Sequence, residues 1–140
     1  MMNPGQYYVG DLCYILEDRW DEVCDIICTR NEGGSLKEGE FTLLDGTKFA
    51  VYRTKWGDGI YQDQNGKDYP VDAGIIGCIA VKDIMAEDQN VGLQLGQVFD
   101  FKFSFNTAKD DSVIRFAQVL IDTDPGIEYN YIDYEDEGVA

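Results

Sequence analysis

The chain has 140 residues, 44% of them apolar and 13% aromatic, which is enough to bury a core and too apolar for a wholly disordered chain. Its 27 acidic and 11 basic residues give a formal net charge of −16, which disfavours direct binding to nucleic acid or to an anionic membrane. There is no histidine, which excludes Ser-His-Asp and Cys-His nucleophiles and histidine-containing zinc sites.

The first predicted elements are a short strand and the one clear helix. An apolar run at residues 7–9 ends at Gly10-Asp11, as a strand entering a turn does. Farther on, apolar residues recur at helical spacing, with Asp18 as the expected N-cap and residues 31–34 as the expected end. One face of this helix would carry Trp20, Val23, Cys24 and Ile27.

The middle of the chain has the pattern of antiparallel hairpins. Asp45-Gly46 and Asn65-Gly66 each separate two runs with strand character, and both dipeptides tolerate the positive φ of a tight turn. The run "AGIIGCIAVKD" is apolar at consecutive positions, which predicts a strand buried on both faces.

The last third is also predicted to be β-structure. In "VFDFKFSFN" the phenylalanines alternate with polar residues, which predicts one strand with Phe99, Phe101, Phe103 and Phe105 on a shared face. "AKDDS" should turn the chain, and "VIRFAQVLIDTD" should return antiparallel to that strand. Residues 127–134 alternate as an edge strand does, and an acidic, loosely ordered end is expected from about residue 133.

These elements predict an α+β fold in a single domain over residues 1–140. We expect a mostly antiparallel, curved β-sheet or partly open barrel of about seven or eight strands, with the N-terminal helix packed on it. No run of residues approaches the roughly 20 apolar positions of a membrane span, and the start of the sequence lacks secretory features. A soluble, cytoplasmic protein is therefore expected.

Neither a metal nor a cofactor is predicted. Cys24 and Cys28 stand one helical turn apart, but the short Cys-x-x-Cys pairs of zinc sites are missing, and burial of the thiols is the favoured interpretation. "DQNGKD", which begins at Asp63, resembles a fragment of a calcium loop, yet it lacks the ligand spacing and the late glutamate. A hairpin turn explains it better, and Asp122 and Asp124 before Pro125 are interpreted in the same way.

The stretch "YYVGDLCY" raises the question of a thiol active site. Cys13 has no histidine to activate it, and Asp11 would raise the pKa of a nearby thiol, which opposes nucleophilic catalysis. We therefore expect Asp11 to accept hydrogen bonds from loop amides, with Cys13 returning towards the core.

A ligand site is a second possibility, because turns and strand ends are where sheets place such sites. Its candidate carboxylates are Asp11, Asp58, Asp63 and Asp72, and its candidate aromatic residues are Trp56 and Tyr61. Such a β-domain would bind a divalent cation or a small ligand, or would be a carboxylate-based hydrolase.

Residues 4–16, with "WGDGIYQDQNGKDYPVDAGIIGCI", resemble an uncharacterised family of small acidic proteins from tailed phages, notably phages of marine cyanobacteria, and from metagenomic sequences. The resemblance covers roughly the first 80 residues and implies no activity, cofactor or catalytic residue. It implies a setting inside an infected bacterial cell.

The favoured function is non-enzymatic binding of a basic protein partner through a negative surface, with mimicry of nucleic acid as a special case. No basic residue follows Arg115, so the partner surface is expected to include Asp133, Glu135, Asp136 and Glu137. A virion-associated accessory protein that self-associates through residues 127–134 is a further alternative. The oligomeric state stays open.

Overall fold

A computed structural model describes residues 1–28, 37–85, 88–89 and 92–124. Within these residues the fold is α+β, with one short helix and ten short strands. The elements are β1 Gly5–Gly10, α1 Trp20–Ile27, β2 Gly39–Thr42, β3 Lys48–Arg53, β4 Gly59–Gln62, β5 Asp68–Val71, β6 Ile75–Ala80, β7 Gly96–Phe101, β8 Thr107–Asp110, β9 Val113–Phe116 and β10 Val119–Asp122.

The strands form three antiparallel sheets. The largest has the order β2-β3-β6-β1-β7, and the others are β10-β9-β8 and the hairpin β4-β5. β1 lies inside the large sheet, where Tyr8 faces Ile79 of β6 on one side and Val98 of β7 on the other. The three sheets do not close into a barrel, and their ten short strands replace the seven or eight that the sequence predicts.

The large sheet is buried on both faces. Because side chains alternate along a strand, Tyr8 and Ile79 point into a cluster on the helix side, whereas Tyr7 and Cys78 point into a cluster shared with the two smaller sheets. All six residues of β6 are buried, which confirms the prediction for "AGIIGCIAVKD". At Gly77 a Cβ would stand 2.2 Å from the carbonyl oxygen of Ala50, so only glycine fits there.

The helix packs its apolar face on this sheet, as predicted. Val23 and Ile27 are buried beside the large sheet, and Trp20 is half-buried against the same cluster. The predicted N-cap is wrong, because Asp18 lies in a 3₁₀ turn, Glu17–Arg19, and α1 begins without a side-chain cap at Arg19. The expected helix end at residues 31–34 lies outside the described residues.

Both predicted hairpins are confirmed. β2 and β3 are joined around Gly46, whose φ of 94° needs the left-handed region, and β4 and β5 are joined around Gly66, whose φ is 80°. Local turn chemistry decides these connections, which is why the sequence predicts them well.

The last third of the fold corrects the sequence prediction. β7 ends at Phe101, and Phe103 is 80% exposed while Phe101 and Phe105 are buried, so the four phenylalanines do not share one face. The predicted return strand is two strands, β9 and β10, separated at Ala117 with a φ of 57°. β9 pairs with β8, most of which was predicted as the "AKDDS" turn. The predicted edge strand at residues 127–134 lies outside the described residues.

An ion pair joins the beginning of the chain to β2. The Met1 ammonium lies 2.6 Å from Glu40 Oε1, and the Thr107 hydroxyl donates to Glu40 Oε2 at 2.9 Å. Burial would raise the pKa of the Glu40 carboxyl, but these hydrogen bonds and the ammonium charge outweigh burial and lower the pKa below 4.5.

Candidate functional site

Asp11 is fully buried, and its carboxylate binds backbone rather than solvent. Oδ1 accepts the N–H of Cys13 at 3.0 Å, and Oδ2 accepts the N–H groups of Asp72 at 2.7 Å and Ala73 at 2.6 Å. The carboxylate thereby ties the end of β1 to the loop between β5 and β6. Burial, with the Asp11 charge added, raises the pKa of the Cys13 thiol to about 12. These contacts agree with the structural role expected for Asp11 and oppose a thiolate at Cys13.

Asp63 has an equivalent role in the β4–β5 hairpin. Its Oδ1 accepts the N–H groups of Asn65 and Lys67, and its Oδ2 accepts the hydroxyl of Tyr69 at 2.7 Å. Burial and the hydrogen bond to Asp63 raise the pKa of Tyr69. The residues of "DQNGKD" therefore form a turn around a nearly buried carboxylate, as the sequence suggests.

The other two candidate carboxylates lie on neighbouring loops. Asp58 and Asp72 are both exposed, one before β4 and one after β5. The loops are joined through Thr54, whose N–H donates to the Gly74 carbonyl and whose hydroxyl donates to the Gly57 carbonyl. Asp72 meets Asp11 only through its own backbone N–H, so the four carboxylates do not converge on one site.

Three of the six predicted ligand residues do meet, in a groove between β4 and β10 that we call the β4–β10 groove. Trp56, Tyr61 and Asp63 contribute to its lining, and its volume is about 700 Å³, within the usual range of ligand sites. The sequence did not identify the rest of the lining as part of a site. Those residues are Ile60, Gln62, Gln64, Val113, Leu120, Asp122 and Thr123.

Contacts at both ends of the groove join the segment around β4 to the segment around β10. At one end Asp63 and Ile121 form an isolated bridge, supported by a hydrogen bond from the Gln64 N–H to the Leu120 carbonyl at 3.1 Å. At the other end the Trp56 indole N–H donates to Asp124 Oδ1 at 3.1 Å.

The walls of the groove expose large apolar side chains. Trp56 is 60% exposed, Ile60 is 70% exposed and Leu120 is 40% exposed. Single exposed apolar residues are common on protein surfaces, but three that converge on one concave surface are typical of interaction sites.

The charges at the groove are negative. Its lining includes Asp63 and Asp122 and no lysine or arginine, and Asp124 lies at one end. None of the four ion pairs among the described residues includes Asp122 or Asp124. The site therefore suits a ligand that is apolar and positively charged and disfavours phosphates and carboxylates.

The cysteines do not form a second site in the described part of the chain. Cys13 and Cys24 are half-buried, Cys28 is exposed and Cys78 is buried, all as free thiols. Burial, with the nearby Cys28 thiol and acids, raises the pKa of Cys24 to about 11, and burial also raises that of Cys78. Among residues 1–28, 37–85, 88–89 and 92–124, no group of three or more carboxylates and thiols is placed to bind a metal ion.

The chain matches no known protein-family model, no curated protein and no solved structure. The resemblance to tailed-phage proteins therefore stays a prediction, as does the single domain. No helix in the described residues is long and apolar enough to span a bilayer. The predicted partner residues Asp133, Glu135, Asp136 and Glu137 lie outside the described residues.

Proposed function

We propose that this acidic protein acts by binding, and that it holds a basic, partly apolar segment of a protein partner in the β4–β10 groove. The observation that carries the proposal is the combination, on one concave surface, of exposed Trp56, Ile60 and Leu120 with aspartates that form no ion pair within the described residues. Apolar contacts supply affinity at such a site, and the carboxylates select a positive partner and speed its approach.

Binding is favoured over catalysis because the buried carboxylate of the groove, Asp63, already holds fixed hydrogen bonds at both oxygens. Asp63 accepts two backbone N–H groups and the hydroxyl of Tyr69, which leaves no oxygen without a partner. Asp122 accepts the Ser112 hydroxyl at 3.0 Å and the Asp124 N–H at 2.9 Å. A general base needs an oxygen within reach of the substrate proton, and Asp63 offers none.

The wider acidic surface and the setting belong to the same proposal. A net charge of −16 attracts a basic partner over a distance of about 8 Å at physiological salt, and the acids at residues 133–137 supply part of this charge. We place the protein in the cytoplasm of a bacterial cell, as the resemblance to tailed-phage proteins implies.

A salt-dependent pull-down tests the proposal. The tagged full-length chain is incubated with bacterial lysate at low and at high salt, and the captured proteins are identified by mass spectrometry and purified. Calorimetry with the purified partner then compares the wild type with I60Q and with L44Q. Leu44 is 97% exposed at the β2–β3 turn, outside the groove, so L44Q is the matched control for loss of a surface apolar residue.

We expect a basic partner whose affinity falls steeply with salt, falls about tenfold or more in I60Q, and is unchanged in L44Q. Equal affinity of I60Q and wild type would refute binding in the groove. A full-length variant with Asp133, Glu135, Asp136 and Glu137 changed to amides measures the contribution of the acidic end. Loss of all binding in that variant, with I60Q unaffected, would place the partner surface there instead.

A further inference from the structure

We infer that the β4–β10 groove contains a subsite for one lysine or arginine side chain of the partner, formed by the Trp56 ring and the carboxylates of Asp122 and Asp124. This inference deepens the proposed function and rests on it for the source of the cation. It also makes Lys55 an internal competitor for the same ring.

A chain of hydrogen bonds holds the subsite in place. The hydroxyl of Ser112 and the N–H of Asp124 both donate to Asp122 Oδ1, and Asp124 Oδ1 in turn accepts the indole N–H of Trp56. One edge of the ring is therefore held although the ring is largely exposed, and an oriented ring loses less entropy when a ligand binds. The second carboxylate oxygens of Asp122 and Asp124 have no hydrogen-bond partner within the described residues.

Lys55 places an ammonium group near this ring. Its Nζ lies 5.9 Å from the centroid of the Trp56 ring, at the limit of a cation–π contact. The backbone of Lys55 is fixed, because its N–H donates to the Thr123 hydroxyl at 3.0 Å, but its side chain is exposed. A ligand cation can thus displace the Lys55 side chain without disturbing the loop.

The charges favour a cation over an uncharged sugar as the group held here. An exposed tryptophan beside polar groups suits either ligand. Two carboxylates that form no ion pair within the described residues attract positive charge and give a neutral sugar no such gain. A lysine or arginine side chain also carries an apolar stem, which can lie along Ile60 and Leu120 while its charged end meets the ring.

The test uses three small probes with the full-length protein: N-acetyl-lysine methylamide, N-acetyl-arginine methylamide and the neutral N-acetyl-norleucine methylamide. Binding is followed by NMR through the indole N–H resonance of Trp56, which is assigned by its disappearance in W56F. The key variant is K55Q. K67Q is its matched control, because Lys67 is an exposed lysine of the β4–β5 turn and its substitution changes the net charge by the same amount.

We expect both cationic probes to shift the Trp56 resonance and norleucine methylamide to leave it unchanged. K55Q should tighten binding of the cationic probes about threefold, as expected for removing a competing surface cation–π contact, and K67Q should leave it within about 1.5-fold of the wild type. The double variant D122N/D124N should weaken binding at least fivefold. Maltose at the same concentration should leave the resonance in place.

Equal effects of K55Q and K67Q would overturn the inference, because net charge alone would then explain the gain. The inference would also be overturned if N-acetyl-norleucine methylamide bound as tightly as the cationic probes, or if maltose alone shifted the Trp56 resonance. The two proposals can fail separately. If the cationic probes bind as expected but the partner has the same affinity for I60Q and for the wild type, the subsite is supported and the proposed function is rejected. If the partner no longer binds I60Q and the cationic probes do not bind the wild type, the proposed function is supported and the subsite is rejected.

Discussion

Replacement of Asp11 tests whether one buried carboxylate holds the end of β1 in place. In D11A three backbone N–H groups lose an ionised acceptor at once, and two of these bonds are short, at 2.6 and 2.7 Å. Hydrogen bonds to charged groups contribute about 1.5–3 kcal/mol each, but the amides of the exposed Asp72 and Ala73 regain water after truncation. We therefore expect D11A to lower the free energy of unfolding by about 3–4 kcal/mol.

D11N separates charge from shape at the same position. Its amide oxygen can keep the contacts of one carboxylate oxygen, but its NH₂ group must then face a backbone donor, so about 1–2 kcal/mol should be lost. The control is D72A, which removes an exposed charge from the same loop and should stay within about 0.5 kcal/mol of the wild type.

Urea unfolding at pH 7, followed by tryptophan fluorescence, measures all three variants. The expected order of stability is wild type and D72A first, then D11N, then D11A. If D11N matched the wild type, or if D11A lost less than about 1 kcal/mol, the carboxylate would not be what joins β1 to the β5–β6 loop.

Three further predictions follow from the packing, the charge and the thiols. G77A should lower the free energy of unfolding by about 3 kcal/mol or more, because its methyl group would overlap the Ala50 carbonyl oxygen; a thermal midpoint within about 3 °C of the wild type would contradict this. The folded-state pKa of Glu40 is lowered, so the contribution of its carboxylate to the free energy of unfolding is complete above pH 4.5 and is lost as the pH falls through the folded-state pKa. In urea titrations the free energy of unfolding of E40Q should therefore fall less on acidification than that of the wild type. Parallel curves of unfolding free energy against pH for the two proteins would contradict this. Iodoacetamide at pH 8 should modify Cys28 first, since the other three thiols are more buried and have raised pKa values; peptide mass spectrometry that finds another cysteine labelled equally fast would refute this.

Sequence reasoning succeeded where the decisive contacts are local. The two hairpins depend on Asp45-Gly46 and Asn65-Gly66, and these dipeptides bend the chain without help from distant residues. It failed at β8, whose polar "TAKD" resembles a turn, and at Ala117, which adopts a positive φ without the glycine that signals such a turn. There β8 is held by β2 and β3, far earlier in the chain, through the hydrogen bonds that Thr107 forms with Glu40 and Tyr52.

The candidate site shows the same limit. Trp56, Tyr61 and Asp63 were predicted because they lie in or beside one hairpin, whereas Leu120 and Asp122 reach the groove only through the contact of β4 with β10. That contact joins positions nearly 60 residues apart and has no motif. The sequence indicated the residue types of a ligand site but not the wall that completes it.

The interior position of β1 has a consequence for synthesis on the ribosome. Its two neighbours, β6 and β7, end at Ala80 and Phe101, so β1 is made well before either strand that pairs with it. At 5–20 residues per second, roughly 4–14 s pass between completion of β1 and completion of β6. During that interval the apolar run of Tyr7, Tyr8 and Val9 has no sheet to join. We expect the strong negative charge of the chain to limit aggregation during that interval.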